Sequence, residues 1–140
     1  MADVALTAAK IAVVDPDKAT IDTYTAGVTI TAGQFLYGIV ASGKVGLADE
    51  ATSAVTSWCL GVALEGAATG QPVQVLCRGK VYGFTLSGAY WLPLSLSDTP
   101  GALRDDYTTN VVARIAPVSD ADLTKVLMVD CGLGIVAGAT

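Results

Sequence analysis

The chain has no histidine. That removes the commonest general base and the commonest metal ligand together, and no Ser-His-Asp or Cys-His machinery can be assembled. Charge is scarce: 15% of the residues are Asp, Glu, Lys or Arg, against about 25% in ordinary soluble domains. The basic residues form no run, Arg78 and Lys80 being the closest pair. With a net charge of −5, sequence-independent nucleic-acid binding is not expected, because it needs concentrated Lys and Arg to displace counterions. Long apolar runs are also missing. No stretch of ~18 apolar residues escapes a charge, a Gly-rich turn or a polar cluster, so no membrane partner is expected. The start, Met1-Ala2-Asp3-Val4, lacks the positive region and apolar run of a secretory signal, and folding in a reducing cytoplasm is expected.

Cysteine is sparse and odd in number: Cys59, Cys77 and Cys131. The spacing fits neither a disulfide framework nor the short C-x-x-C of structural zinc. Each lies in an apolar stretch, where a free Cys behaves as a small hydrophobe, and three free thiols are expected.

What remains is apolar and small. Hydrophobic residues make up 52% of the chain and the mean hydropathy is +0.55, with Ala and Val carrying most of the excess. At 140 residues and 14.2 kDa, one domain can bury roughly two thirds of its extended surface. An apolar surplus with few charges suits a surface hidden against partners, and closed symmetry in a homo-oligomer would hide it.

Periodicity near two, broken by Gly, Ser, Thr, Asp and Pro, predicts an all-β fold: a small β-sandwich or barrel-like domain with short turns and at most one or two helical turns. Residues 1–20 form an N-terminal arm or edge strand, and residues 21–140 the β-rich domain. A first run, residues 11–14, stops at Asp15-Pro16-Asp17. Strands are expected over 25–31, with Val28 and Ile30 alternating, and over 34–40 and 45–47 around the hairpin turn Ser42-Gly43-Lys44. Residues 49–57 form a loop or a helical turn capped by Asp49. Further strands cover 58–64 and 71–77, Pro72 standing where a missing N–H is tolerated, and the latter continues through a Gly bend to Phe84. Residues 87–92 read as a turn plus strand. Ser97-Asp98-Thr99-Pro100-Gly101 is a strong turn, residues 105–110 are polar, and 111–117 and 125–131 form a closing pair around Ser119-Asp120-Ala121-Asp122, which fits a capping box.

The remaining motifs are weak. Asp49-Glu50 and Asp105-Asp106 are ordinary solvated loop charges. Asp15, Asp17 and Asp22 lack the spacing and the terminal Glu of an EF-hand loop. Gly132-Leu133-Gly134-Ile135-Val136-Ala137 satisfies a dinucleotide fingerprint formally, but no helix and distant acidic residue follow it. No catalytic, cofactor or metal residue is assigned, and an enzyme is not expected. Aromatic residues number nine. In a strand, neighbouring residues face opposite ways, so one of Tyr90 and Trp91 should face inward and the other outward as an interface anchor. Trp58 is a second candidate. Ile11 and Val13 are a third, because an unpaired strand needs partners for its N–H and C=O groups, and a neighbouring subunit or the chain's own domain can supply them.

A series of stretches then recurs in a recognisable order. Thr31-Ala32-Gly33-Gln34 precedes a strand and Gly43-Lys44-Val45-Gly46-Leu47-Ala48-Asp49. Leu60-Gly61-Val62-Ala63-Leu64 leads through Ala67-Ala68-Thr69-Gly70-Gln71 to Pro72-Val73. Arg78-Gly79-Lys80-Val81 leads to Tyr90-Trp91-Leu92, and Asp98-Thr99-Pro100-Gly101-Ala102 precedes the closing strands. Over roughly 100 residues, by order of strands and turns, this resembles the capsid decoration (cement) proteins of tailed bacteriophages. The resemblance implies a β-rich virion protein on the outer head surface, bracing seams between major capsid protein subunits, with a homotrimer as the foremost assembly. The alternative is a head-fibre base or a carbohydrate-binding β module on the virion surface.

Overall fold

The computed structural model describes residues 3–53, 55–105 and 111–131. The fold is all-β, a curled antiparallel sheet forming a half-barrel; of the two architectures expected, the barrel-like one is realised. In chain order the strands are β1 (Ala12–Val13), β2 (Thr20–Thr25), β3 (Phe35–Gly38), β4 (Val45–Leu47), β5 (Cys59–Ala63), β6 (Pro72–Tyr82), β7 (Pro93–Leu96), β8 (Leu103–Arg104), β9 (Val111–Pro117) and β10 (Lys125–Asp130). Short 3-10 turns occupy Ala8–Lys10, Pro16–Lys18 and Val55–Ser57.

The long strand β6 organises the sheet. A strand residue has one ladder partner on each side, so shared partners reveal which strands lie on which edge. Val75 and Leu76 pair with β2 on one side and β5 on the other. Arg78 lies between Thr20 of β2 and Asp130 of β10, and Val81 between Val13 of β1 and Leu127 of β10. Strands β1 and β2 therefore follow one edge of β6, while β5 and then β10 follow the other. From that second edge two leaves diverge, β5-β3-β4 and β10-β9-β7-β8. At the fork Gly79 adopts φ 137°, a conformation that L side chains rarely take, and the bend expected there is present.

The leaves curl toward each other around one cluster that includes Phe35, Val62, Leu76, Leu94, Leu96, Ile115 and Leu127. Their far ends meet at the 97–101 turn, where Phe35 N–H donates to Gly101 O (2.8 Å), Gly101 N–H to Ala48 O (2.7 Å) and Glu50 N–H to Ser97 O (3.1 Å). A second cluster, with Ala26, Ile30, Leu36, Val73 and Val75, packs on the other face of the sheet.

The N-terminal segment is part of this closure. Asp3 bridges Arg104 and Leu6 bridges Phe84. Val4 N–H donates to Leu103 O (2.8 Å), Thr85 N–H to Ala5 O (2.8 Å) and Val14 N–H to Lys80 O (2.9 Å). Residues 3–14 run from β8 to β6 as a strap, so the run at 11–14 finds its backbone partners within its own domain.

Three expectations are corrected. The strand placed at 25–31 lies earlier, at Thr20–Thr25. Beyond it the chain leaves the ladder at Gly27, where a Cβ would stand 2.7 Å from Ile39 Cδ1, and only single bridges remain at Ala26 and Ile30. The strand placed in 87–92 starts at Pro93 instead; Tyr90 and Trp91 form a turn. Ser119 accepts from Ala121 N–H and Asp122 N–H, but no helical turn follows. Most of the polar 105–110 stretch and the apolar tail 132–140, with its fingerprint-like motif, lie outside the described residues.

Candidate functional site

The aromatic pair at 90–91 is built on the β9–β10 hairpin. Trp91 N–H donates to Ile115 O, and Ile115 N–H donates to Leu92 O (3.1 Å). The Arg114 guanidinium donates to Trp91 O at 2.9 Å. Held from both sides, Trp91 adopts φ 70°, which is uncommon for any residue but glycine and an outlier for a bulky one. Tyr90 is anchored through its hydroxyl, which donates to Leu123 O, and the Lys125 ammonium sits 5.2 Å from its ring centroid while donating to Gly88 O.

Because this is a turn, strand alternation does not apply. Tyr90 is 40% exposed and Trp91 52%, so both face solvent and the expected inward-outward split is corrected. Leu123, 62% exposed, joins Tyr90 through the hydroxyl contact; nothing in its sequence neighbourhood marks it. The turn thus exposes two aromatic side chains, with the cations Arg114 and Lys125 hydrogen-bonded to the backbone around them.

The other candidates fall elsewhere. Trp58 is 54% exposed, with its N–H donating to Val55 O (3.1 Å). Ile11 and Val13 are half-buried and pack against the main core. The structure brings Tyr90 and Trp91 together and places Ile11 and Val13 in the strap.

The titratable groups are committed locally. Asp49 is buried. It accepts from Ala51 N–H (3.1 Å), Thr52 N–H (2.9 Å), Thr52 Oγ1 (2.9 Å) and Thr56 Oγ1 (3.0 Å). Burial by itself raises its carboxyl, but the hydrogen bonds from Thr52, Thr56 and Ala51 outweigh it and hold the group below its ordinary value. Asp15 accepts from Asp17 N–H as a turn cap. Among the described residues no group of three or more His, Cys, Asp or Glu side chains is arranged to hold a metal.

A cleft of about 910 Å³ lies where the strap passes the fork, bordered by Lys18, Arg78, Lys80 and Asp130 among others. Two of its cations are engaged within the domain: Arg78 pairs with Asp130 at 3.1 Å, and the Lys80 ammonium donates to Pro117 O and Val118 O. None of the five interface candidates lines it. No helix among the described residues is long and apolar enough to cross a membrane. Comparison with family models, with curated proteins and with solved structures gives no match.

Proposed function

We propose that this chain is a structural virion protein that binds the outer surface of a tailed-phage head and braces contacts between major capsid protein subunits. It acts by binding, without catalysis, as a homo-oligomer for which a trimer is the foremost arrangement. The ordered strand and turn motifs over residues 29–131 support this reading, as does a chain with no histidine and few charges. One structural observation carries it furthest: Tyr90 and Trp91 stand exposed on a turn that hydrogen bonds hold to β9. Rigid aromatic side chains of this kind are the usual anchors of protein interfaces, and a sparsely populated backbone maintained by its surroundings is characteristic of binding sites.

Sedimentation of the purified protein with and without empty capsids tests the proposal. The wild type should pellet with capsids, and Tyr90→Ala and Trp91→Ala should each weaken that association by tenfold or more, as an anchor worth at least about 1.4 kcal/mol requires. Failure of the wild type to bind capsids would refute the reading. Retained affinity in both variants would move the contact away from this turn. Binding to immobilised glycans instead would favour the carbohydrate-binding alternative, since an exposed Trp ring also suits sugar stacking.

A further inference from the structure

Cys59 opens β5 and Cys131 follows β10, the two strands that share one edge of β6 before their leaves separate. Cys131 N–H donates to Cys77 O at 3.0 Å, which keeps the end of β10 in register with β6. Cys59 and Cys131 are both fully buried. Their sulfurs lie 2.9 Å apart, well inside the contact distance of unbonded sulfurs and within about 1 Å of a disulfide bond, which is about 2.05 Å long. Cys77, the third thiol, instead directs its sulfur toward Val75 O at 4.0 Å.

We propose that Cys59 and Cys131 form a redox staple, a disulfide that ties the two leaves together at the fork when the protein meets an oxidising disulfide. The inference is independent of the capsid reading. The oxidant is a low-molecular-weight disulfide such as oxidised glutathione. One cysteine, as thiolate, attacks a glutathione sulfur to form a mixed disulfide and expels one glutathione thiolate. The second cysteine, deprotonated, attacks the protein sulfur of that mixed disulfide and expels the other. One protein disulfide forms, two glutathione thiols take up the two protons, and two electrons pass from protein to oxidant. Burial raises the Cys131 thiol well above its ordinary range, and its neighbour Cys59 adds to this. In the folded state both sulfurs are buried away from an oxidant, and the raised Cys131 thiol is slow to give up its proton, so the bond closes chiefly while the chain folds. It spans a separation of 72 residues, and crosslinks over loops this long constrain the unfolded chain strongly.

The full-length chain is unfolded in denaturant with reductant and refolded in a glutathione redox buffer, where all thiols are accessible. It is then denatured without reductant, alkylated and weighed. One alkylated thiol, a peptide linking residues 59 and 131, and a Tm about 5–10 °C above the reduced form are expected. Cys77→Ala should lose both remaining thiols to the bond, and Cys59→Ala should form no internal disulfide. Three alkylated thiols, a link through Cys77, or an oxidised form with a lower Tm would each overturn the proposal. The wild-type peptide map decides even if a variant fails to fold.

Discussion

Trp91 carries a backbone that glycine would adopt freely, and for an L residue the left-handed region costs about 1–2 kcal/mol. Trp91→Gly should therefore leave the fold's stability within about 1 kcal/mol of wild type, relief of strain offsetting lost ring contacts, while capsid association falls by tenfold or more. Chemical denaturation read beside sedimentation separates the two effects, and a variant that loses several kcal/mol would show the indole to be a packing residue. The composition of this turn was legible in sequence, since Tyr90-Trp91 is its most conspicuous aromatic cluster. Its conformation was not, because the hydrogen bonds from Arg114 and to Ile115 come from a strand more than twenty residues later. At Asp49 the sequence allowed the cap of a helical turn or a loop; the structure realises the loop, where Asp49 caps Ala51 and Thr52, also accepts from Thr56, and is buried. Its pKa is depressed on folding, so its contribution is fully present above its ordinary value of 3.8 and is lost as pH falls through the lower folded value. Asp49→Ala should lower stability by about 2–3 kcal/mol at pH 7, and the difference from wild type should shrink below about pH 4. A difference unchanged down to pH 2 would assign the effect to packing.

At the scale of elements, β6 was the most legible strand. Alternating Val73 and Val75, Pro72 at the start and a glycine bend at Gly79 are all local signals, and each is found where expected. Strand β2 was missed because its sequence, Thr-Ile-Asp-Thr-Tyr-Thr, shows a burial pattern set by one neighbour only. An edge strand with both side-chain faces partly wet has little alternation to read. The fork itself was invisible, since it depends on two strands sharing one edge of a third. Gly61 shows how tight that edge is: a Cβ there would stand 2.2 Å from Leu76 O, a backbone atom that cannot move aside. Gly61→Ala should destabilise the domain by about 3 kcal/mol. Gly70→Ala, which meets open space but sits at φ 89°, should lose only about 1 kcal/mol. Equal losses in urea unfolding would mean that β5 and β6 separate readily and that the close approach is not a constraint.

For the whole molecule, the decisive question is whether residues 1–17 belong to the fold or reach out from it. Sequence left both possibilities open, because a short apolar run does not reveal which edge it joins. The structure places residues 3–17 along their own domain. Asp3 and Val4 engage β8, Leu6 and Thr7 engage Phe84 and Gly83 just beyond β6, and Ala12 and Val13 continue the edge that β2 begins. Ser97 donates its hydroxyl to the Asp3 carboxylate, fastening the strap to the turn where the two leaves meet. Val4, Ile11 and Val13 also pack on the core. Deleting residues 1–17 would uncover that apolar surface and leave the edge of β6 beyond Arg78 unpaired. At about 1 kcal/mol for each of several lost hydrogen bonds, with the burial of three aliphatic side chains in addition, the loss is comparable to the whole stability of a small domain. The truncated chain should therefore lose cooperative unfolding, or melt at least about 15 °C below wild type, before any question of binding arises. Restoring the segment in trans as a synthetic peptide of residues 1–17 should recover part of that stability in proportion to peptide concentration. A truncated protein that melts like wild type but no longer joins capsids or its own copies would reverse the conclusion, making the segment an arm whose productive partner is a neighbouring subunit.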